Sequence, residues 1–271
     1  MEVLRAGPQP PVEFSPPLMD TAWIAAVHDP DYVDEVLEER VPPEKARRIG
    51  FPVTQALAQR SRRTVGGTWM AARLALQCGY AANSAGGSHH ALHETGAGYC
   101  IFNDLAVAAH RLLTEEDAMH ILIVDLDVHQ GDGTAALMAG RSDVTTFSMH
   151  AEKNFPVRKA RSTLDVGLAD GTGDDEYLDL LERHLAALLT EHAPDLILYQ
   201  AGVDAHGEDR LGRLALTDAG LNARDAMVAG SARARGIPLA SALGGGYGDD
   251  ALAIGRRHAE AMQVMAHCYY G

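Results

Sequence analysis

Four polar clusters, each at the end of a short apolar run or close behind one, hold the residues that can do chemistry. The most specific is ILIVDLDVHQGDGT, an apolar strand that runs into Asp125, Asp127, His129 and Asp132. Four ionisable groups there are costly to desolvate unless a cation or a partner accompanies them. The two-residue period of a strand puts residues 125, 127 and 129 on one face, which predicts that Asp127 and His129 enter one metal shell. Carboxylates salt-bridged at a sheet edge are the alternative. A second cluster, YQAGVDAHGED, ends another apolar run with Asp204. That residue completes an Asp, His, Asp set of the kind that leaves zinc an open position for water and substrate, with two carboxylates to balance a divalent charge. His206 is either a rival ligand or a loop residue. The third cluster is GGSHHA, where Gly86 and Gly87 precede His89 and His90. Taken alone it also reads as a solvated loop, but glycines there let backbone and ligand approach closely. The fourth, ALGGGYGDD, brings Tyr247 to a glycine-freed strand end. A phenol in that place is either a turn aromatic or a hydrogen-bond donor to an oxyanion.

The elements that must position these clusters follow from the texture of the chain. HILIVDLDV, VTTFSMH, DLILYQAGVD and PLASALGGG are short apolar runs, several of them β-branched, which predict buried parallel strands. GDGTAALMAG, DDEYLDLLERHLAALLTEHA, TDAGLNARDAMVAGSARARG and DDALAIGRRHAEAMQVMAH separate or follow them, with acidic starts and apolar steps of three and four that predict helices. The alternation predicts a three-layer α/β/α fold on a mainly parallel, doubly wound sheet, with functional groups at its carboxyl edge. The first half is mainly helical. DPDYVDEVLEE is an Asp-capped, Pro-started helix, and a second helical stretch runs over 54–78. Residues 1–28, with Pro8, Pro10, Pro11, Pro16 and Pro17, read as an irregular arm, and no composition break divides the chain, so one domain over 1–271 is expected.

With 271 residues, 46% of them hydrophobic, the chain can bury a large core. Its formal charge of −14 disfavours the phosphate neutralisation that nucleic-acid binding needs. Cys78, Cys100 and Cys268 form no CxxC and suggest neither a disulfide scaffold nor a thiolate zinc site, which fits a reducing compartment. The amino terminus lacks the apolar core of a leader, and no apolar run is long enough to cross a membrane, so the expected location is cytoplasmic, away from membranes.

Six motifs taken together, GGSHHA, GYCIFND, DLDVHQGDGT, FSMH, AGVDAHGEDRLG and LGGGY, resemble the arginase-fold histone deacetylase superfamily in order and spacing from about residue 29 to the end. The stretch MHAEKNFPVRKARSTLDVGLADGTGDDEYL looks closest to bacterial members near the class IV branch. The resemblance implies that Asp127, His129 and Asp204 hold zinc or iron(II), which activates water and polarises the amide carbonyl. It implies His90, oriented by Asp132, as general base, His89, oriented by Asp125, as its companion, and Tyr247 in the oxyanion pocket. Gly98 and Tyr99, with Phe155 opposite, would wall an acyl-lysine tunnel, which Leu211 and Gly245 also line. A structural potassium ion is implied at Asp125, the carbonyls of Asp127 and His129, the Ser148 hydroxyl and the Met149 carbonyl.

The family's usual opening strand and loop precede the matched region and are expected to be absent here, so that the pocket is open or is covered by the arm or by a second copy in a homo-oligomer. Tyr99 stands where a Phe is usual. The expected reaction is hydrolysis of acyl-lysine side chains on a protein or peptide. Two alternatives are hydrolysis of small acetylated amines such as acetylpolyamines and non-catalytic binding of acyl-lysine. Leu211, at the position of the acidic gate of polyamine-selective relatives, argues against the first, and retention of the whole catalytic set argues against the second.

Overall fold

The computed structural model describes residues 1–7 and 10–271. In chain order the helices before the first strand are α1 (Glu2–Arg5), α2 (Thr21–Ala25), α3 (Pro30–Leu37), α4 (Pro43–Ile49) and α5 (Gln55–Cys78). Then come β1 (Tyr80–Asn83), α6 (Asp104–Thr114), β2 (Ile121–Asp125), α7 (Asp132–Leu137), β3 (Val144–Ala151), β4 (Leu164–Leu168) and α8 (Asp174–His192). The chain closes with β5 (Leu196–Gln200), α9 (Asp218–Ala234), β6 (Leu239–Ala242) and α10 (Ala251–Tyr270). The six strands form one sheet in the order β1-β6-β5-β2-β3-β4, every pair parallel. Helices cover both faces, so the α/β expectation and the doubly wound sheet hold.

Alternating strand residues divide between two cores, as the pleat requires. Ile121, Ile123, Leu196 and Leu198 pack with Leu105, Ala108 and Leu112 of α6 and Ala71 of α5. Leu122, Val124, Ile197 and Tyr199 face the opposite way, onto Leu181 and Leu185 of α8, Val228 of α9 and Met265 of α10. Both predicted helices of the first half form: Asp29 caps the first as expected, accepting from the Tyr32 amide, and Thr54, read as the first residue of the second, is its cap and accepts from the Leu57 amide. Besides the arm, four elements were not anticipated: the short Pro-started α4 in a charged stretch, β1 (YAAN), which lacks β-branched residues, β4, a half-exposed edge strand, and α6, whose first six residues are buried.

The amino-terminal arm departs from its irregular reading. Pro8 lies outside the described residues, and α1 and α2 interrupt the arm on either side of an irregular stretch over 10–20. Burial explains both: Leu4 packs on Ala259 and Met262 of α10, while Ile24 is fully buried below an Asp20 cap. Met19 exchanges hydrogen bonds with Arg62, its amide donating to the Arg62 carbonyl and its own carbonyl accepting from Nε. Among the described residues no strand precedes Tyr80.

His28 joins this region to the loop of the tandem histidines. It is fully buried, donates from Nδ1 to the Leu92 carbonyl at 2.8 Å and accepts at Nε2 from the Asn103 amide at 2.9 Å. Burial pushes its pKa from 6.5 down to about 4. Between those values the unfolded chain binds the extra proton. The contribution of His28 is therefore complete above pH 6.5 and is lost as pH falls toward 4. We expect the pH 7 to pH 5 loss of unfolding free energy to shrink by about 2 kcal/mol in His28→Asn, measured by denaturant titration. An unchanged loss would remove His28 from the acid response.

Candidate active site

β2 and β5 are neighbours, and the chain leaves them in opposite directions, through α7 to β3 and through α9 to β6. Ligands in such sheets bind where the strand order reverses. Asp127 and His129 follow β2, Asp204 follows β5, and one ligand atom from each lies within 4.8 Å of the others. The pleat does not arrange them, because β2 ends at Asp125. Beyond it the chain turns on its own carboxylates: Asp125 Oδ1 accepts from the Asp127 amide at 3.2 Å, and Asp127 Oδ1 from the His129 amide at 3.0 Å. Turn chemistry of this kind competes with strand pairing wherever Asp is repeated at every second residue.

The remaining carboxylate oxygens are almost all used. Asp127 Oδ2 accepts from the Gly245 amide at 2.7 Å and Asp204 Oδ1 from the Val128 amide at 2.9 Å, which leaves Asp204 Oδ2 buried without a hydrogen bond. A Cβ on Gly245 would collide with that oxygen, and a Cβ on Gly202 would lie 2.5 Å from Asp127 Oδ2. His129 Nδ1 stands 3.0 Å from Asp127 and 3.2 Å from Asp204. Burial opposes its charge, yet the two carboxylates push its pKa up to about 10, while burial and the nearby Asp127 raise Asp204 to about 7. The protein groups alone thus hold one positive charge in the set. With an orphaned carboxylate oxygen and an imidazole, they fit a divalent cation such as zinc. His206 is not among these ligands. Its Nδ1 accepts from the Glu208 amide, and its Nε2 lies 3.3 Å from Asp218.

The tandem histidines lie beside this set with ring centroids 4.0 Å apart. His89 Nδ1 is 2.7 Å from Asp125 and His90 Nδ1 2.7 Å from Asp132. Their proton affinities diverge. Burial disfavours a charged His89, but Asp125 and Asp127 outweigh it and bring the pKa up to about 9. In His90, burial and then the charge of His89 prevail over Asp132, and the pKa falls to about 4. At neutral pH one ring is charged and its neighbour is a free base, the division of labour that acid–base chemistry requires.

Tyr247 lies 6.2 Å from the His129 ring and 6.0 Å from Tyr99, between centroids. Burial, reinforced by Asp127 and Asp204, pushes its pKa up, which keeps the phenol protonated and able to donate. Phe155 stands edge-on to His90 at 4.8 Å, and a Cβ on Gly98 would lie 2.6 Å from the His90 ring. Tyr99 is held at a φ of 66° by its amide, which donates to the Ile49 carbonyl, so the end of α4 backs this wall. Tyr99, Phe155 and Leu211 remain exposed, and Asn154 Nδ2 donates to the Leu211 carbonyl. Of the proposed potassium ligands, Asp125 and Ser148 are register partners on β2 and β3, and Ser148 and Met149 are buried.

Sequence reasoning missed the residues that act on backbone. Asp104 accepts from the Gly87 and Ser88 amides, and Asn103 Nδ2 donates to the His89 carbonyl at 3.3 Å, fixing the histidine loop. Arg224, fully buried and paired with Asp225, donates to the carbonyls of Leu126 at 3.2 Å and Gly202 at 2.7 Å, tying the two ligand loops together from behind. Adjacent opposite charges in the middle of α9 were the available signal.

These features define a doubly wound α/β protein with a candidate metal centre at its switch point. The chain belongs to the histone deacetylase family: the histone deacetylase domain matches residues 2–263. It is 48% identical over 250 residues to an uncharacterized protein of Picosynechococcus sp., covering 92% of this chain and 83% of that one. Similarity to histone deacetylase 2 of Arabidopsis thaliana is 36% over 200 residues, 73% of this chain and 52% of that protein. The acetoin utilization protein AcuC of Bacillus subtilis is 29% identical over 225 residues, 75% of this chain and 58% of that one. The chain thus matches only a little over half the length of these last two relatives. The crystal structure of the HDA15 HD domain superposes with a TM-score of 0.81 at 21% identity, covering 99% of this chain and 81% of the other, a likeness of fold.

Proposed function

We propose that the protein is a metal-dependent deacylase, acting as one catalytic unit, that hydrolyses the amide of acyl-lysine side chains on proteins or peptides. The observation that carries this reading is the convergence of Asp127, His129 and Asp204 beside a neutral His90. Asp127, His129 and Asp204 would hold zinc or iron(II). When bound, the ion polarises the amide carbonyl and makes water a nucleophile at neutral pH.

With the His90 Nδ1 proton donated to Asp132, Nε2 presents its lone pair and takes the proton from the attacking water. As the amide carbon becomes tetrahedral, charge develops on its oxygen and the Tyr247 hydroxyl donates to it. His90 then passes its proton to the lysine nitrogen as the C–N bond breaks, releasing the amine and a carboxylate. His89 stays charged on Asp125, keeping the affinity of His90 for a proton low. Gly98, Tyr99, Phe155, Leu211 and Gly245 would line the acyl-lysine channel. The potassium site proposed at Asp125, Asp127, His129, Ser148 and Met149 would brace the metal loop.

Leu211 has an exposed apolar side chain and would stand at the mouth, where an acetylpolyamine would need a carboxylate for its distal ammonium. We expect kcat/KM for acyl-lysine peptides to exceed that for acetylspermidine or acetylputrescine, with acyl chains longer than acetyl also accepted. The comparison belongs near physiological ionic strength, where a Debye length of about 8 Å screens the long-range pull of a −14 chain on polycations. An acetylpolyamine as good as the best peptide would overturn the lysine assignment, whereas gain of polyamine turnover in Leu211→Glu would support the gate. A metal-loaded protein that turns over none of these substrates would instead favour acyl-lysine binding without hydrolysis.

A further inference from the structure

Tyr247 lies in the connection between β6 and α10, where neither a strand nor a helix holds its backbone. Its two main-chain groups are held instead by consecutive residues of the loop after β5. The Tyr247 amide donates to Asp209 Oδ2 at 2.6 Å, and the Tyr247 carbonyl accepts from the Arg210 amide at 3.0 Å. The other oxygen of the same carboxylate, Asp209 Oδ1, accepts from the Leu211 and Gly212 amides, both at 2.8 Å. An aspartate accepting from residues two and three further on is ordinary turn chemistry. What a turn does not require is the second oxygen reaching a residue 38 positions away in sequence.

The loop is also anchored at both ends. The Asp209 amide donates to the His206 carbonyl, and a Cβ on Gly212 would collide with the Asp204 carbonyl. One carboxylate therefore fixes three things: the backbone that carries the phenol, the backbone that carries Leu211 at the mouth, and the return of the chain toward Asp204. Asp209 itself contributes no atom to the Asp127, His129, Asp204 set.

We propose that Asp209 is a positioning residue that sets the reach of the Tyr247 hydroxyl and the stance of the Leu211 gate through a single side chain, linking substrate entry to oxyanion stabilisation. This rests on the deacylase reading. A reacting group misplaced by about 1 Å can cost about 10²-fold in rate, so the backbone anchor of a donor matters nearly as much as the donor.

Asp209→Asn is nearly isosteric but has one acceptor oxygen instead of two, so it must abandon either Tyr247 or the Leu211–Gly212 pair. The test is a double-mutant cycle with Tyr247→Phe, measuring kcat and KM on an acetyl-lysine peptide and metal content for each metal-loaded protein. We expect Asp209→Asn to lower kcat by about 10-fold or more with metal retained, and by less than about 3-fold in the Tyr247→Phe background, because there is then no hydroxyl left to misplace. Equal losses in both backgrounds would overturn the proposal, since a merely structural aspartate acts whether or not the phenol is present. Should Asp209→Asn fail to fold, Asp209→Glu, which keeps both oxygens one methylene further out, takes its place in the cycle.

Failure of the deacylase reading looks different: the wild type would not turn over the peptide, or Tyr247→Phe alone would leave turnover normal. In either case native-state hydrogen exchange on Asp209→Ala, which removes both acceptor oxygens, decides on Asp209. The Tyr247, Leu211 and Gly212 amides are expected to lose protection together in that variant, and unchanged protection at Tyr247 overturns the proposal.

Discussion

Asp204→Ala and His129→Ala are expected to reduce hydrolysis to background and to strip the protein of its metal. Each would leave two ligands where zinc needs three from the protein. In the metal-free state Asp204→Ala removes the repulsion from Asp127 that, with burial, raises the Asp204 pKa to about 7, but it also takes a partner from His129 and the acceptor from the Val128 amide, so stability without metal does not test the assignment. The difference should emerge on adding zinc. Binding to the native state stabilises the wild type by RT ln(1 + [L]/Kd), about 2.7 kcal/mol at a hundredfold excess over Kd, and should leave the variant unmoved. Elemental analysis together with thermal melts with and without zinc checks this. Stoichiometric zinc in both variants would place the metal elsewhere.

Tyr247→Phe and His90→Ala separate chemistry from binding. The first removes one hydroxyl from a site whose metal ligands are untouched, and turnover should fall by roughly 10²-fold or more, the scale for a lost oxyanion donor. His90→Ala removes the only ring of the tandem pair that is a free base at neutral pH, and a comparable or larger loss is expected. His89 cannot stand in, because Asp125 and Asp127 keep it protonated. Both variants should retain metal. Near-normal turnover in Tyr247→Phe would reduce the tyrosine to a packing role, and an active His90→Ala would move the base elsewhere.

The places of the proposed metal ligands are legible in the sequence, because an apolar run stops there and ionisable groups follow, whereas the roles of His90 and Tyr247 come from the family resemblance. That reading holds wherever strand and cluster are continuous in sequence, as at Asp125 to Asp132 and at Asp204. It stops short in two ways. The face-sharing expected of residues 125, 127 and 129 extrapolates the pleat past a strand that ends at Asp125, so the set does converge, but through turns. Asp104, Asp209 and Arg224 were given no role because their partners are main-chain groups of distant segments, and a backbone amide or carbonyl looks alike at every position of a sequence. Elements were lost for a related reason: β1 is built of small residues that carry no strand signature.

Gly202 and Gly245 have a consequence for anyone reading natural variation or a mutational scan of this chain. Neither carries a functional group, yet each occupies space beside a carboxylate oxygen where one extra carbon would intrude. Alanine at either position should therefore score like the loss of a ligand, and in an alignment the two would pass for catalytic residues. Their intolerance would measure a shortage of volume around a charge cluster. The positions where exchange is free should lie at Tyr99 and Phe155, exposed side chains beside Tyr247 and His90, so under the proposed function substrate preference could drift there while the interior stays locked.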